Sequence, residues 1–427
     1  MPKRFIRNFR ALAKNPVRHD ALTIIEAGLA AVATDKAIRR NLKPKGNGFV
    51  IGGRSYNFSL YDHVYVIGFG KDAYAAAVEL EKILGSRITA GIVIDVRKGP
   101  LKRIKSLAGT HPLPSLKNVR AAGEVLELLE KADSNDLIIT IVSGGGSALL
   151  CRPYGLSCTE LALVTKMLMR RGADIHEMNT VRKHLSEITG GQFARLAYPA
   201  TVLGLIFSDV PGDELDMIAS GPTVRDTTTV ADAAAVLAKY DIIKACSLPG
   251  CDMNETPKDK TFFKRVHNVL IVSNRIATEA MSIEAKRIGY RARILSTALQ
   301  GEAREVGRCL AAMPASGEAV IAAGETTVTV TGDGRGGRNQ ELALGALGSI
   351  REGGVVISCA SDGRDNGPAA GAIADEITAR AVARLKLNPR KALSENASHP
   401  FFEKAKSLIM TGDTGINVSD LMLSLRE

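Results

Sequence analysis

Tryptophan is absent from this chain of 427 residues, and aromatic side chains make up only 4% of it. That leaves few flat surfaces on which single-stranded nucleic acid could stack. No apolar run approaches the roughly 18 residues a membrane-spanning helix needs, so no membrane segment is predicted. The six cysteines (Cys151, Cys158, Cys246, Cys251, Cys309 and Cys359) form no CxxC pair. They read as reduced thiols of a cytoplasmic protein rather than as a disulfide framework. The opening stretch MPKRFIRNFRALAKNP has no acidic residue before Asp20 and no apolar centre. It reads as a basic first helix in preference to a secretory signal or a transit peptide. Three catalytic patterns are also missing: without GxxxxGK[ST], HExxH or GxSxG, an ordinary P-loop, a zinc peptidase and an α/β-hydrolase elbow are set aside.

Basic residues outnumber acidic ones, 56 Lys and Arg against 45 Asp and Glu, for a net charge of +11. They are dispersed along the chain, which fits a field attracting small acidic molecules better than a nucleic-acid surface. The length predicts two domains. Apolar runs at 64–67, 91–96, 137–142, 201–207, 269–272, 319–323 and 355–359 alternate with alanine- and leucine-rich helical segments. The alternation predicts an α/β fold with mostly parallel sheets. The β-branched run TTVTVTGDG predicts an antiparallel edge strand over 326–331, and residues 20 to about 40 read as one long helix. A polar, proline-containing segment over 244–263 marks the boundary. It separates an N-terminal domain, 1–245, from a smaller C-terminal one, 262–427.

VSGGGSALL, Val142 to Leu150, follows the apolar run LIITI. Its three glycines remove every Cβ where the chain turns, so backbone N–H groups can crowd round an anion or hydroxy acid. A tight turn without a ligand is the plainer reading. Ser143 and Ser147 place hydroxyls at its two ends. VIGFGKDAYAAA sets Gly68 and Gly70 in a loose dinucleotide-binding pattern, with Asp95 at the distance of a ribose contact. Lys71, directly after Gly70, instead suits a phosphate met as a point charge. His111 lies in the rigid loop GTHPLPS. MNTVRKHLSEITGG gathers Asn179, Arg182, Lys183 and His184 within two helical turns, either a solvated basic face or a helix turned to substrate. Asp209, at the end of the 201–207 run in FSDVPGDELDMIASGP, is placed like a Mg²⁺ ligand or a general base. AGETTVTVTGDGRGGRNQELAL carries Arg335, Gly336, Gly337 and Arg338 in a glycine-rich loop, with Asn339 opening a helix. Backbone donors, guanidinium charge and a helix dipole meet there, as a transferring phosphoryl group requires. Asp362 belongs to a further Gly/Asp loop, SDGRDNGPAAGAIAD.

Together VSGGGSALL, NTVRKHLS, SDVPGDELDMIASGPT and GETTVTVTGDGRGGRNQELAL resemble the class II glycerate kinases, also called the MOFRL family. The likeness spans nearly the whole chain, in the same order. It implies two α/β domains, the first Rossmann-like, with the active site in the interdomain cleft. It also implies phosphorylation of glycerate by ATP and Mg²⁺, normally to 2-phosphoglycerate. Lys71, in GxGK, and Arg338, in GGRNQE, match the catalytic lysine and arginine; both are assigned to the γ-phosphoryl oxygens, and Asp209 to Mg²⁺ or the attacking hydroxyl. The acceptor, a glycerate-like acid, falls to Ser143, Gly144, Gly145, Gly146 and Ser147 with His111 and Arg182. The nucleotide falls to Gly68, Gly70, Gly336, Gly337, Asn339 and Asp362. The partners are then small molecules, without nucleic acid or membrane, and the protein a cytoplasmic monomer or homodimer. The rival readings are an NAD(P)H-dependent hydroxypyruvate reductase and a non-catalytic sugar-acid-binding protein. Three residues depart from the family pattern: Thr189, where relatives read IKGG, and Asp413 and Ile416, where they read GPTGTNV. They leave the acceptor acid open.

Overall fold

The computed structural model describes residues 4–210, 212–248 and 250–427, which cluster into two compact units. One is continuous, residues 37–271, and the other joins the residues up to Lys36 to 272–427. The break expected within 245–262 thus lies at 271. The polar segment stays with the first unit because Cys251 and Met253 pack beside Leu237 and Ile242. Asn254 N–H also donates to the His184 carbonyl at 2.8 Å. The single helix expected over 20–40 is two, Pro16–Ala31, capped by Asn15, and Thr34–Asn41.

In unit 37–271 a six-stranded sheet runs in the order Ile104–Ala108, Ala90–Asp95, Val64–Phe69, Leu137–Val142, Thr201–Phe207, Val266–Val272. The pairings across its first five strands are parallel. Val64–Phe69 and Leu137–Val142 are buried at every position, as central strands covered on both faces must be. Helix Ala73–Leu84 turns Ala73, Ala76, Ala77, Leu80 and Leu84 inward, one face at helical spacing. Phe69, Ile94, Val142, Phe193 and Ile206 join one apolar core, each side chain worth about 1.5–3 kcal/mol of burial. A second cluster, with Val164, Leu168, Val181 and Leu185, holds helix Ile175–His184. That helix starts where Asp174 accepts from Glu177 N–H and Glu177 answers in a capping box. A small antiparallel sheet, Lys43–Pro44, Gly48–Ile51 and Arg54–Asn57, precedes the main one.

The other unit carries a sheet ordered Arg291–Leu299, Glu318–Gly324, Asp420–Arg426, Gly354–Ala360, Gly371–Asp375, Leu408–Ile409. Its first pairing is parallel and the others antiparallel. Parallel pairing therefore dominates the first sheet only. Asp420–Arg426 enters the middle of the second sheet running against both neighbours, and Gly371–Asp375 likewise runs against both of its own. The expected strand over 326–331 is not regular. Thr327 makes an isolated bridge with Glu302, while Thr329 and Thr331 N–H donate to the side chains of Glu302 and Asn396. Helix Pro16–Ala31 is tied into this unit by Arg18, which is fully buried. Its Nη2 donates to Asp375 at 2.7 Å, to Thr378 at 2.8 Å and to Ser407 at 3.2 Å, and its Nε to the other Asp375 oxygen.

Candidate active site

Parallel register aligns Phe69 with Val142 and Val142 with Ile206, so three strands deliver their carboxyl ends side by side. The first leads into Gly70, Lys71 and Asp72, the second into the Ser143–Ser147 loop, the third into Asp209. Ligands collect at this edge in parallel α/β sheets. The loops are bonded to one another: Lys71 N–H donates to the Gly144 carbonyl at 3.0 Å and Ser143 N–H to the Phe69 carbonyl at 3.1 Å.

The three glycines are explained by what stands against them: a Cβ on Gly146 would lie 2.6 Å from Ala219 Cβ. A Cβ on Gly144 would lie 2.0 Å from Asp209 Oδ2. One on Gly145 would lie 2.8 Å from the His111 ring and 3.5 Å from Lys71 Cε. Thus Lys71, His111 and Asp209, far apart in the chain, converge on one turn. Of its two serines only Ser147 faces the adjoining cavity. Ser143 is fully buried, accepting from Asp72 N–H at 3.2 Å and donating to the Phe69 carbonyl.

This cavity, about 390 Å³, is lined by His111, Gly145, Ser147, Arg182 and Asp209 among the expected residues. Lys183 and His184 turn away from it. Lys183 pairs with Asp226 and Asp216, and His184 bonds the Asn254 carbonyl. Burial, then the neighbouring Lys71, lowers the His111 pKa and so favours the neutral imidazole. The cavity also holds residues that sequence reasoning did not select. Ser220 shares a hydrogen bond with Ser147 at 2.8 Å and donates to Asn179 at 2.9 Å. Ala219 and Ser220 both adopt left-handed backbone, φ +51° and +58°, which costs energy outside glycine and gathers at functional sites. No motif marks that backbone; it shows only in the folded chain. Thr189 lines the same cavity, whereas Asp413 accepts from Gly415 N–H in a turn and Ile416 is buried.

Gly68 lies inside a strand, not in the turn, and the space of its missing side chain is taken by Val93 and Ile141. At Gly70, φ +118°, a Cβ would lie 2.0 Å from Ser143 Oγ. Asp95 accepts from Tyr74 N–H at 3.0 Å and Arg97 N–H at 3.2 Å. The dinucleotide pattern therefore lacks its ribose carboxylate, which is used to bind its own chain.

The other unit has its own cavity, about 660 Å³, lined by Gly336, Gly337, Arg338, Asn339 and Asp362 with Thr326, Val328 and Val330. Arg338 does not stand free there: its guanidinium donates to both oxygens of Asp420 and to Glu325 at 3.2 Å. Burial pushes Asp420 up to about 6 against the pull of Arg338. Nor is the N-terminus of helix Arg338–Ala346 open to an anion. Asp365 accepts from Asn339 N–H at 3.0 Å and Gln340 N–H at 2.8 Å, and occupies the place a Gly337 side chain would need. Among the described residues there is no cluster of three or more carboxylate, histidine or cysteine groups able to hold a metal by themselves. No helix among them is long and apolar enough to cross a membrane.

Asp72 supplies a test of the electrostatics. Burial, then Asp95 and Asp209, pushes its carboxyl up to about 7. The fold thus favours the protonated form, so this contribution is present below about pH 4 and lost as pH rises through about 7. Asp72→Asn stays neutral, so its melting temperature relative to the parent should rise between pH 5 and pH 8. A difference that stays constant with pH would refute the assignment.

Residues 20–248 match a domain of unknown function (DUF4147), and 318–420 match the MOFRL family. The chain is 38% identical to the D-glycerate 2-kinase of Thermotoga maritima over 426 residues, 95% of this chain and 97% of that one. It is 36% identical to the glycerate 2-kinase of Pyrococcus horikoshii, over 96% of this chain and 97% of that one. Its fold superposes on the crystal structure of the Thermotoga maritima glycerate kinase with a TM-score of 0.85 at 35% identity, covering 96% and 99% of the two chains. With fold, loop order and full-length likeness in agreement, this chain belongs to the glycerate kinase family that carries a MOFRL domain.

Proposed function

We propose that this protein transfers the γ-phosphoryl group of ATP to a hydroxyl of glycerate, giving 2-phosphoglycerate and ADP. The observation that carries this reading is the meeting of Lys71, Asp209 and the glycine triplet at one edge of a parallel sheet. Phosphoryl transfer asks for positioning and charge neutralisation more than covalent help. The acceptor oxygen bonds to the γ-phosphorus while the bond to the β-phosphate oxygen of ADP breaks, and the hydroxyl proton is released. Lys71 is assigned to the charge on the transferred group, and the Ser147 side of the cavity to the acceptor. The 660 Å³ cavity is assigned to the nucleotide, with Arg338 beside it. Asp209 suits Mg²⁺, which takes one or two carboxylates and completes its shell with water and substrate phosphates. Bound there, the ion would supply positive charge against that developing on the transferred group.

A reductase is disfavoured by Asp95, whose carboxylate is engaged with Tyr74 and Arg97. The deciding assay follows ADP release over a panel of small hydroxy acids, with NADH oxidation by hydroxypyruvate run beside it. Steady NADH turnover without ATP consumption would overturn the kinase reading. Within it, Asp209→Asn should cut turnover about a hundredfold or more with the fold intact. Near-parental turnover at saturating Mg²⁺ would reduce Asp209 to a turn residue.

A further inference from the structure

We propose that Arg182 captures the carboxylate of the acceptor, so that the 390 Å³ cavity selects small hydroxy acids over uncharged polyols. The inference rests on reading that cavity as the acceptor site, and it names the group that confers its selectivity. Helix Ile175–His184 sorts its polar residues sharply. Lys183, 2% exposed, is committed to Asp226 at 3.2 Å, and His184, wholly buried, to the Asn254 carbonyl at 2.9 Å. Asn179 and Arg182, on the same helix, line the cavity instead.

The cavity wall holds two arginines. Arg152 is neutralised by Glu187 at 2.8 Å. Arg182 has no carboxylate partner among the described residues, and burial with no opposing charge lowers its pKa. Arg182 is half-buried; a guanidinium partly withdrawn from water without a counter-ion carries a cost that an arriving carboxylate reduces. Its planar fork matches a carboxylate through two parallel hydrogen bonds. Thr189, 3% exposed on the same wall, has a hydroxyl without a hydrogen-bond partner, a second group the protein leaves incomplete there. The Ser147–Ser220–Asn179 relay supplies hydroxyl and amide groups suited to the acceptor's hydroxyls. Ser220 is a positioning residue, carried into the relay by its left-handed backbone.

The test compares glycerate with glyceramide, which keeps the hydroxyls and loses the charge. Parent, Arg182→Gln and Arg182→Lys are measured by calorimetric binding and by ADP release at saturating ATP. The parent should prefer glycerate by at least about thirtyfold. Arg182→Gln should weaken glycerate by a similar factor while leaving glyceramide within about threefold. Arg182→Lys should recover only part of the preference, since an ammonium lacks the fork. An undiminished preference in Arg182→Gln overturns the proposal, as does a parent that binds both compounds alike or neither. ADP release with glycerate alongside such a result would leave the kinase reading standing. Discrimination that depends on Arg182 without ADP release would do the reverse. If Arg182→Gln does not fold by circular dichroism, the lysine variant decides: a preference equal to the parent's overturns the proposal.

Discussion

Lys71→Ala is expected to lower kcat for ADP formation by about two to four decades, with the KM for glycerate within a few-fold of the parent. The loop should survive the change, because the bond from this residue to the Gly144 carbonyl uses its backbone N–H. What is lost is the ammonium, whose chain runs beside Gly145 and His111. An interaction that strengthens as charge develops on the transferred group appears in kcat. One made equally with the bound ground state would appear in KM. Ser147→Ala, on the acceptor side, should show the second pattern. A Lys71→Ala enzyme with kcat within a few-fold of the parent would remove Lys71 from the chemistry.

Arg18→Met should cost about 3–5 kcal/mol of stability in chemical denaturation, because it leaves the Asp375 carboxylate buried without its counter-ion. Thr378 and Ser407, which share the network, would each lose a donor as well. The double variant Arg18→Met/Asp375→Leu should lose much less than the single one, since it removes the orphaned charge along with its partner. If the single variant lost under about 1 kcal/mol, the network would not be what holds helix Pro16–Ala31 in place.

Most of the first unit was legible in the sequence. The runs over 137–142 and 201–207 became strands with the same bounds, because a strand buried on both faces is apolar throughout. Asp420–Arg426 escaped notice: its apolar residues are split by Ser424 and bounded by Asp420 and Arg426, and its place in the sheet depends on neighbours about 100 and 65 residues away. The run over 326–331 misled because β-branched alternation reports a fit to a pleated surface, not the presence of a partner strand. At the candidate site, the residues announced by glycine and charge, Lys71, Asp209 and the triplet, lie together in the fold. The GGRN loop was half understood, since nothing in its letters shows that Asp365 closes the helix end or that Asp420 takes Arg338. Ser220, and its bond to Asn179, were hidden for another reason. A serine and an asparagine acquire their meaning only when backbone strain brings them within 2.9 Å.

The pairing of the first 36 residues with those after 271 also has a consequence for synthesis. Helix Pro16–Ala31 emerges early, but Asp375, the anchor of Arg18, is made 357 residues later. At about 5–20 residues per second, that is a wait of roughly 20–70 s. During it the continuous unit 37–271 can finish folding, while Leu22, Ile25 and Leu29, all at 0% exposure in the finished protein, have no partners to cover them. The nascent chain therefore carries a sticky leading helix past an already folded body, and that helix is the segment a holding chaperone would be called on to shield.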